Sequence, residues 1–369
     1  MADLLLLNLT PTPASVSNAV SSGCPDVTRA LIVHGAASLS TSFYNLATGT
    51  MSAGPSLGVA TAAGTHGIRL PNVGPQACKI LVVNAGGTAT TEIFDPQTST
   101  FSSGPTLSGN VGPGGLSIPI TAGSNAGKVV ILHGSNTMAT SVLDLTTVST
   151  VPGNTTASNI GGDDHYISIS TGPQSGKVLI WSGGGGMNTN LLDPANLTFS
   201  AGPVDTQITT PGSRAFQVTG GTRDGQFYKA RGAATLTPSV YRPGSNDFDP
   251  GAISSFTTCG PGVGASVFTV PSGPISGRPL AICAAASVST ISYDSGSDTF
   301  SAGPGLTANA GAGSSSFLIP SGAQAGKALV ILGGGVTTTN LFNPSTPVFN
   351  AGPAATNSVG TSGFSILIH

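Results

Sequence analysis

Charge is what this sequence has least of. Twelve Lys and Arg and fourteen Asp and Glu make 7% of 369 residues, against about 25% in ordinary soluble domains. A net charge of −2 excludes the basic face that nucleic acid requires. Long apolar runs are missing too. No stretch of about 20 apolar residues exists, so no membrane span is expected. The start MADLLLLNLT has only Leu4 to Leu7 as an apolar run, an acidic Asp3 and no basic residue before Arg29; no secretory signal is expected from it. Runs of Leu, Lys and Glu are few, which argues against helices. Four cysteines, Cys24, Cys78, Cys259 and Cys283, show no CxxC spacing and no zinc-ligand pattern. Small buried apolar residues are the preferred reading for them, with one or two disulfides as the alternative. No GxSxG, HExxH or P-loop motif occurs.

What is abundant is glycine and proline, 53 and 27 residues. Disorder does not follow, because 38% of residues are hydrophobic and the mean hydropathy is +0.24, whereas disorder needs low hydrophobicity and high charge. The glycines and prolines fall in a repeat. FDPQTSTFSSGP from Phe94 recurs as LDPANLTFSAGP from Leu192, YDSGSDTFSAGP from Tyr293 and FNPSTPVFNAGP from Phe342. Weaker copies start at Tyr44, Leu143 and Tyr241. The anchor position is Asn45, Asp95, Asp144, Asp193, Arg242, Asp294 and Asn343, at steps of 50, 49, 49, 49, 52 and 49. Upstream lie apolar, β-branched runs ending in glycine, such as KILVVNAGG from Lys79 and KALVILGGG from Lys327. These read as strands. Each repeat therefore predicts four strands: one such as residues 116–120, one such as 128–132, one ending at the anchor and one at the T-F-S-A-G-P phrase. Four short strands in about 50 residues make a propeller blade, so an all-β, seven-bladed β-propeller is expected over residues 23–369. The chain ends on a first strand, FSILIH (364–369), and begins on a second strand, RALIVHG from Arg29. The C-terminal strand should complete the N-terminal blade and close the ring. Residues 1–22 are left over as an arm or extra strand.

A cation opens most second strands: Arg29, Lys79, Lys128, Lys177, Arg278 and Lys327, with Gln226 in the fifth repeat. Each precedes its anchor by 16 residues. Across a hairpin the two face each other, which predicts structural pairs Lys79–Asp95, Lys128–Asp144, Lys177–Asp193 and Arg278–Asp294. The other reading is that the anchor side chain caps its own turn.

The second strand ending in Gly-Gly, an aromatic before the Asp, a second aromatic after it (Phe94 and Phe101 around Asp95) and a following Pro resemble the kelch pattern over about residues 23–369. The doublet is clear only at Gly86–Gly87, Gly183–Gly186 and Gly333–Gly335, and the second aromatic is Phe rather than Trp. The resemblance implies a seven-bladed propeller as in kelch proteins and galactose-oxidase-like enzymes. Copper bound by tyrosines and histidines would follow for the latter. Tyr44, Tyr241 and Tyr293 occupy the repeat aromatic, however, leaving Tyr166 and Tyr228.

His34 and His133 share a register with Asn84, Ser182, Arg231, Cys283 and Leu332; so mixed a register is expected to tolerate solvent at one end of the molecule. The blade-to-blade connections share a face with the second-to-third-strand turns. Their polar residues include His66, Asp163, Asp164, His165, Asp205 and Arg214, of which His66, Asp163, Asp164, His165 and Arg214 are the ligand-binding candidates. The run GGDDHY from Gly161 is the densest group, with carboxylates beside a histidine for a divalent metal or acid–base work; a solvated loop is the simpler reading. No cofactor or metal is expected. Low charge, the leftover arm and the lack of a catalytic constellation point to a non-enzymatic structural or attachment module, extracellular or in a virion, with structural partners through residues 1–22. The alternatives are a surface carbohydrate-binding protein with glycan partners and a copper oxidase.

Overall fold

In the computed structural model, residues 28–70, 75–162, 165–210, 212–230, 232, 238–249, 262, 264–284 and 286–368 are described. Twenty-eight strands form seven four-stranded antiparallel sheets. Blade 2 is typical: His66–Arg69, Ile80–Val83, Thr91–Asp95 and Thr100–Ser103, hydrogen-bonded in that order. Blades 3 to 7 open on Leu116–Ile120, His165–Ser168, Arg214–Gln217, Ser266–Thr269 and Ser315–Leu318. Blade 1 takes its first strand from the chain end. Phe364–Leu367 pairs with Arg29–Val33, Phe364 opposite Val33. The ring closes as expected, and blade 1 gains the partner that its second strand would otherwise lack.

First strands of neighbouring blades touch around the axis. Second strands such as ILVV (80–83) are wholly buried, because blades cover both their faces. Fourth strands such as TFSS (100–103) form the exposed rim. Core clusters span neighbouring blades; one joins Leu31, Val33 and Phe364 of blade 1 to Ile80, Val82 and Phe94 of blade 2.

The A-G-P phrase has a physical cause. In six blades a threonine opens the third strand, and its hydroxyl donates to a carbonyl just after the fourth: Thr41 to Pro55 (2.6 Å), Thr91 to Pro105 (2.7 Å), Thr140 to Asn154 (2.7 Å), Thr189 to Pro203 (2.6 Å), Thr290 to Pro304 and Thr339 to Pro353 (both 2.8 Å). The residue before that carbonyl is always glycine. At Gly104 a Cβ would collide with the Thr91 hydroxyl. Threonine and glycine are thus one complementary unit 13 residues apart.

The anchor acts first on its own turn. Backbone N–H groups two residues on donate to Asn45, Asp95, Asp144, Asp193, Asp294 and Asn343 (2.8–3.1 Å). Asn serves as well as Asp because the bond needs an acceptor, not a charge. The cross-strand ion pair is the variable part. It forms at Lys79–Asp95 (3.0 Å) and Arg278–Asp294 (2.6 Å). Lys128 stands opposite Asp144 but donates to Asn125 (2.9 Å), and Lys177–Asp193 makes no ion pair. In blade 5, Arg242 pairs with Asp247 (2.6 Å) instead.

Thr339→Val removes the bond to Pro353 and leaves a carbonyl short of its donor, at a cost of about 1–2 kcal/mol. Thr339→Ser restores most of it. Urea unfolding measures both, and an unchanged midpoint for the valine variant contradicts the role assigned to the threonine.

Candidate functional site at the channel mouth

The connectors between blades run across one end of the ring. Bridges such as Thr88↔Val111 and Val336↔Val359 tie them to the second-to-third-strand hairpins. Each first strand starts beneath this face. Its opening residue sits opposite the end of its second strand: His66↔Val83, Leu116↔Leu132, His165↔Trp181, Arg214↔Ala230, Ser266↔Ile282, Ser315↔Ile331 and Phe364↔Val33. The structure thus brings His66, His165 and Arg214 to one level of the ring of first strands, on blades 2, 4 and 5. All three are buried, not solvated loop residues. Asp163 and Asp164 lie outside the described residues.

The level is close-packed across blades. The residue opening one first strand meets the second residue of the next: Phe364 lies over Gly67, His66 bonds Ser117 and Ser365 donates to Ser315 (3.0 Å). Just before the strand the backbone is left-handed. Gly114 has φ +82°, and a Cβ there would collide with the carbonyl of Gly161 on the next connector. Only glycine lets the connectors overlap this closely.

His66 is fully specified. Nδ1 lies 2.7 Å from the Gly64 carbonyl and Nε2 2.6 Å from Ser117 Oγ. A carbonyl only accepts, so Nδ1 carries the hydrogen. Burial lowers the pKa to about 4, so the ring is neutral at physiological pH and Nε2 accepts from the serine hydroxyl. A neutral imidazole held by a carbonyl and facing a hydroxyl is an arrangement that can take a proton from that hydroxyl.

His165 stacks on Trp181 at 4.4 Å and 15°. The indole Nε1 donates to Asp205 (2.9 Å). Asp205 is not the surface residue expected of a connector. It forms a wholly buried ion pair with Lys229 (2.6 Å), which also donates to Thr209 (2.7 Å) and the Gln207 carbonyl (3.2 Å). Other junctions place Leu57, Leu107 and Leu306 at the register of Asp205, and Val82, Ile131 and Val330 at that of Lys229. The fourth junction has exchanged an apolar pair for an ion pair. Such pairs add little net stability but tolerate neither partner alone. Reading the strands as uniformly apolar missed it; the signal was a lysine and an aspartate replacing apolar residues together.

A second missed feature is a buried polar position in the third strand. It holds Ser42, Glu92, Ser141, Asn190, Ser239 and Asn340, with Ile291 in blade 6. At five junctions it accepts from a connector amide: Gly58 N to Glu92 (2.5 Å), Ser108 N to Ser141 (3.1 Å), Ser158 N to Asn190 (2.9 Å), Thr307 N to Asn340 (2.7 Å) and Thr356 N to Ser42 (3.2 Å). His34 and His133 brace two of these residues, Nε2 lying 2.7 Å from Ser42 and Ser141. The expectation that their register faces solvent is therefore corrected: His34, Asn84, His133, Ser182, Cys283 and Leu332 are all buried. The register is mixed because it braces different partners.

The cysteines are corrected as well. Cys78 and Cys283 are both disulfide-bonded, and no described cysteine is free. The tyrosines do not fit a copper site. Tyr44, Tyr241 and Tyr293 are packed in the blades, while Tyr228 and Tyr293 both donate to Asp298 (2.7 and 2.8 Å). Among the described residues no three His, Cys, Asp or Glu converge as a metal site.

No family model matches the sequence, and no curated protein matches it. Among solved structures the chain is similar to a putative 6-phosphogluconolactonase from Bacteroides fragilis, at 13% identity and a TM-score of 0.58, covering 93% of this chain and 99% of that one. The chain is a seven-bladed β-propeller with four-stranded blades. Identity this low carries the fold alone. The match corrects the expectation of a non-enzymatic virion module, since the propeller it resembles is described as an enzyme and nothing points to a virion; the lectin and copper-oxidase alternatives gain no support either.

Burial depresses His34 and His66 to about 4 and lowers His133 as well. In the unfolded chain they take protons near pH 6.5, so as pH falls from there to about 4 the unfolded state binds protons first and stability drops. Each of His34 and His66 contributes a loss of up to about 3 kcal/mol, complete near pH 4. Urea midpoints at pH 7 and 4.5 measure it. His66→Gln flattens the curve; a wild-type midpoint unchanged between these pH values contradicts the buried, neutral assignment.

Proposed function

We propose that this chain is a hydrolase of a small lactone derived from a sugar acid, working at the connector-side mouth of its channel. The observation that carries this is a cation and a neutral base on one level: Arg214, buried on blade 5, and His66, buried on blade 2 with its Nε2 lone pair toward Ser117. Arg214 supplies charge for an anionic group on the substrate. His66 supplies a proton acceptor that stays unprotonated across physiological pH. The fold of a putative 6-phosphogluconolactonase supports the choice of a lactone. Hydrolysis adds one water across the ring ester and releases a carboxylic acid, so it is followed by proton release.

The kelch-like character of the repeats belongs to this reading as an ancestry of the blade pattern. An oxidising compartment outside the cytosol is part of it too, supported by the disulfide-bonded Cys78 and Cys283, since such bonds persist there.

The test is proton release from a panel of aldonolactones, with and without a 6-phosphate. Wild-type protein should exceed the uncatalysed rate, and Arg214→Met and His66→Gln should each lose at least about 100-fold. No hydrolysis of any member by the wild type overturns the proposal.

A further inference from the structure

The repeat is so regular that its departures are informative, and both disulfide-bonded cysteines stand at departures. The residue just before the second strand's opening position is Gly127, Gly176, Gly225, Gly277 or Gly326 in blades 3 to 7, with φ between +76° and +86°. In blade 2 it is Cys78, with φ +63°. Glycine takes this left-handed backbone at no steric cost; a residue with a Cβ does not. A Cβ placed on any of the five glycines meets nothing within 4 Å, so the position faces away from its blade. A side chain there gains little packing, which leaves the disulfide as what a cysteine gains.

Cys283 stands at the other end of a second strand, in the register of His34, Asn84, His133 and Ser182, and is wholly buried. In blades 1, 3 and 4 that residue bonds the polar third-strand residue: His34 with Ser42, His133 with Ser141 and Ser182 with Asn190. In blade 6 the third-strand residue is Ile291, so the incoming connector has no polar side chain to donate to. That connector lies in the longest step between anchors, 52 residues, and contains Cys259.

Cys24 and Cys259 lie outside the described residues, and their partners follow from reach. Cys78 and Cys283 cannot bond each other. Their registers are six residues apart along a second strand, about 20 Å, on blades 2 and 6. A disulfide needs Cα atoms within about 7 Å. Cys24 precedes Thr28 by four residues, a span of at most about 14 Å. Thr28 holds the register of Cys78 in blade 1, where its carbonyl accepts from Leu46 N at the anchor end (2.8 Å). Cys24 can therefore reach the anchor end of blade 2 but not Cys283. Cys259 precedes Gly262 by three residues, and the Gly262 amide donates to the Cys283 carbonyl (2.7 Å).

We infer that the chain carries the disulfides Cys24–Cys78 and Cys259–Cys283, with separate tasks. Cys259–Cys283 replaces the missing polar staple and holds the connector to blade 6 covalently. Cys24–Cys78 is a redox-sensitive clasp that fastens the chain ahead of blade 1 to blade 2. Closing it takes two electrons and two protons from the two thiols and passes them to a small-molecule disulfide such as oxidised glutathione; a dithiol reverses the exchange. Once open, Cys78 keeps its left-handed backbone without the bond.

Peptide mapping without reductant, on full-length protein folded in a glutathione buffer, reads the pairing. Linked peptides should join Cys24 to Cys78 and Cys259 to Cys283; any other pairing, or a free thiol at Cys78, overturns the inference. Cys24→Ser should free one thiol, at Cys78, and leave Cys259–Cys283 closed. Melting Cys78→Gly beside wild type, with and without dithiothreitol, tests the clasp. Without reductant the glycine variant should melt several degrees lower, because it lacks the bond. With reductant it should melt higher than wild type, because it escapes the strained backbone. A shift of the same sign in both conditions, or none in either, contradicts the clasp.

Discussion

A polar side chain buried in the third strand of a blade needs a hydrogen-bond partner, and the connector arriving from the blade before it has backbone N–H groups that the strands do not pair. A buried polar group left unpaired costs as much as a lost hydrogen bond. Here Glu92, Ser141, Asn190, Asn340 and Ser42, all buried in third strands, accept from connector amides at the surface. Because acceptor and amide come from different blades, the bond fixes blade against blade as well as satisfying the connector. At four of these junctions a hydroxyl or an amide oxygen accepts, at lower desolvation cost than a charge would carry; at the remaining one it is the Glu92 carboxylate.

The positions that open the first strands vary more: His66, Leu116, His165, Arg214, Ser266, Ser315 and Phe364 share one level, all of them buried. The two junctions flanking blade 5 depart furthest from the rule. One exchanges its apolar plug for the buried Asp205–Lys229 pair. The other loses the polar staple to Ile291 and two core side chains to Ala230 and Ala281. Repeats that hold a ring together need no such exceptions. Their concentration beside Arg214 is the physical reason for placing function there.

The fold was legible because it depends on a period, and glycine, proline, threonine and the anchor residue recur at that period whatever the rest of the blade does. Closure by residues 364–369 was legible for the same reason, as a first strand without a second. The site was only partly legible. His66, His165 and Arg214 could be placed on the connector face by counting strands, but their burial could not, since serine and histidine suit a solvated turn and a packed junction equally. His34 shows the difficulty: its neighbours in register read as a wet surface, and only the contact with Ser42 explains them. Lys229 was hidden by its own strand, FYKA, whose pattern reads as core. Asp163 and Asp164, expected beside His165, lie outside the described residues.

Native-state hydrogen exchange tests this account most directly. The amides of Gly58, Ser108, Thr307 and Thr356 should exchange as slowly as the second strands, although they lie in connectors. Connector amides that exchange at the rate of open loops would contradict the stapled ring.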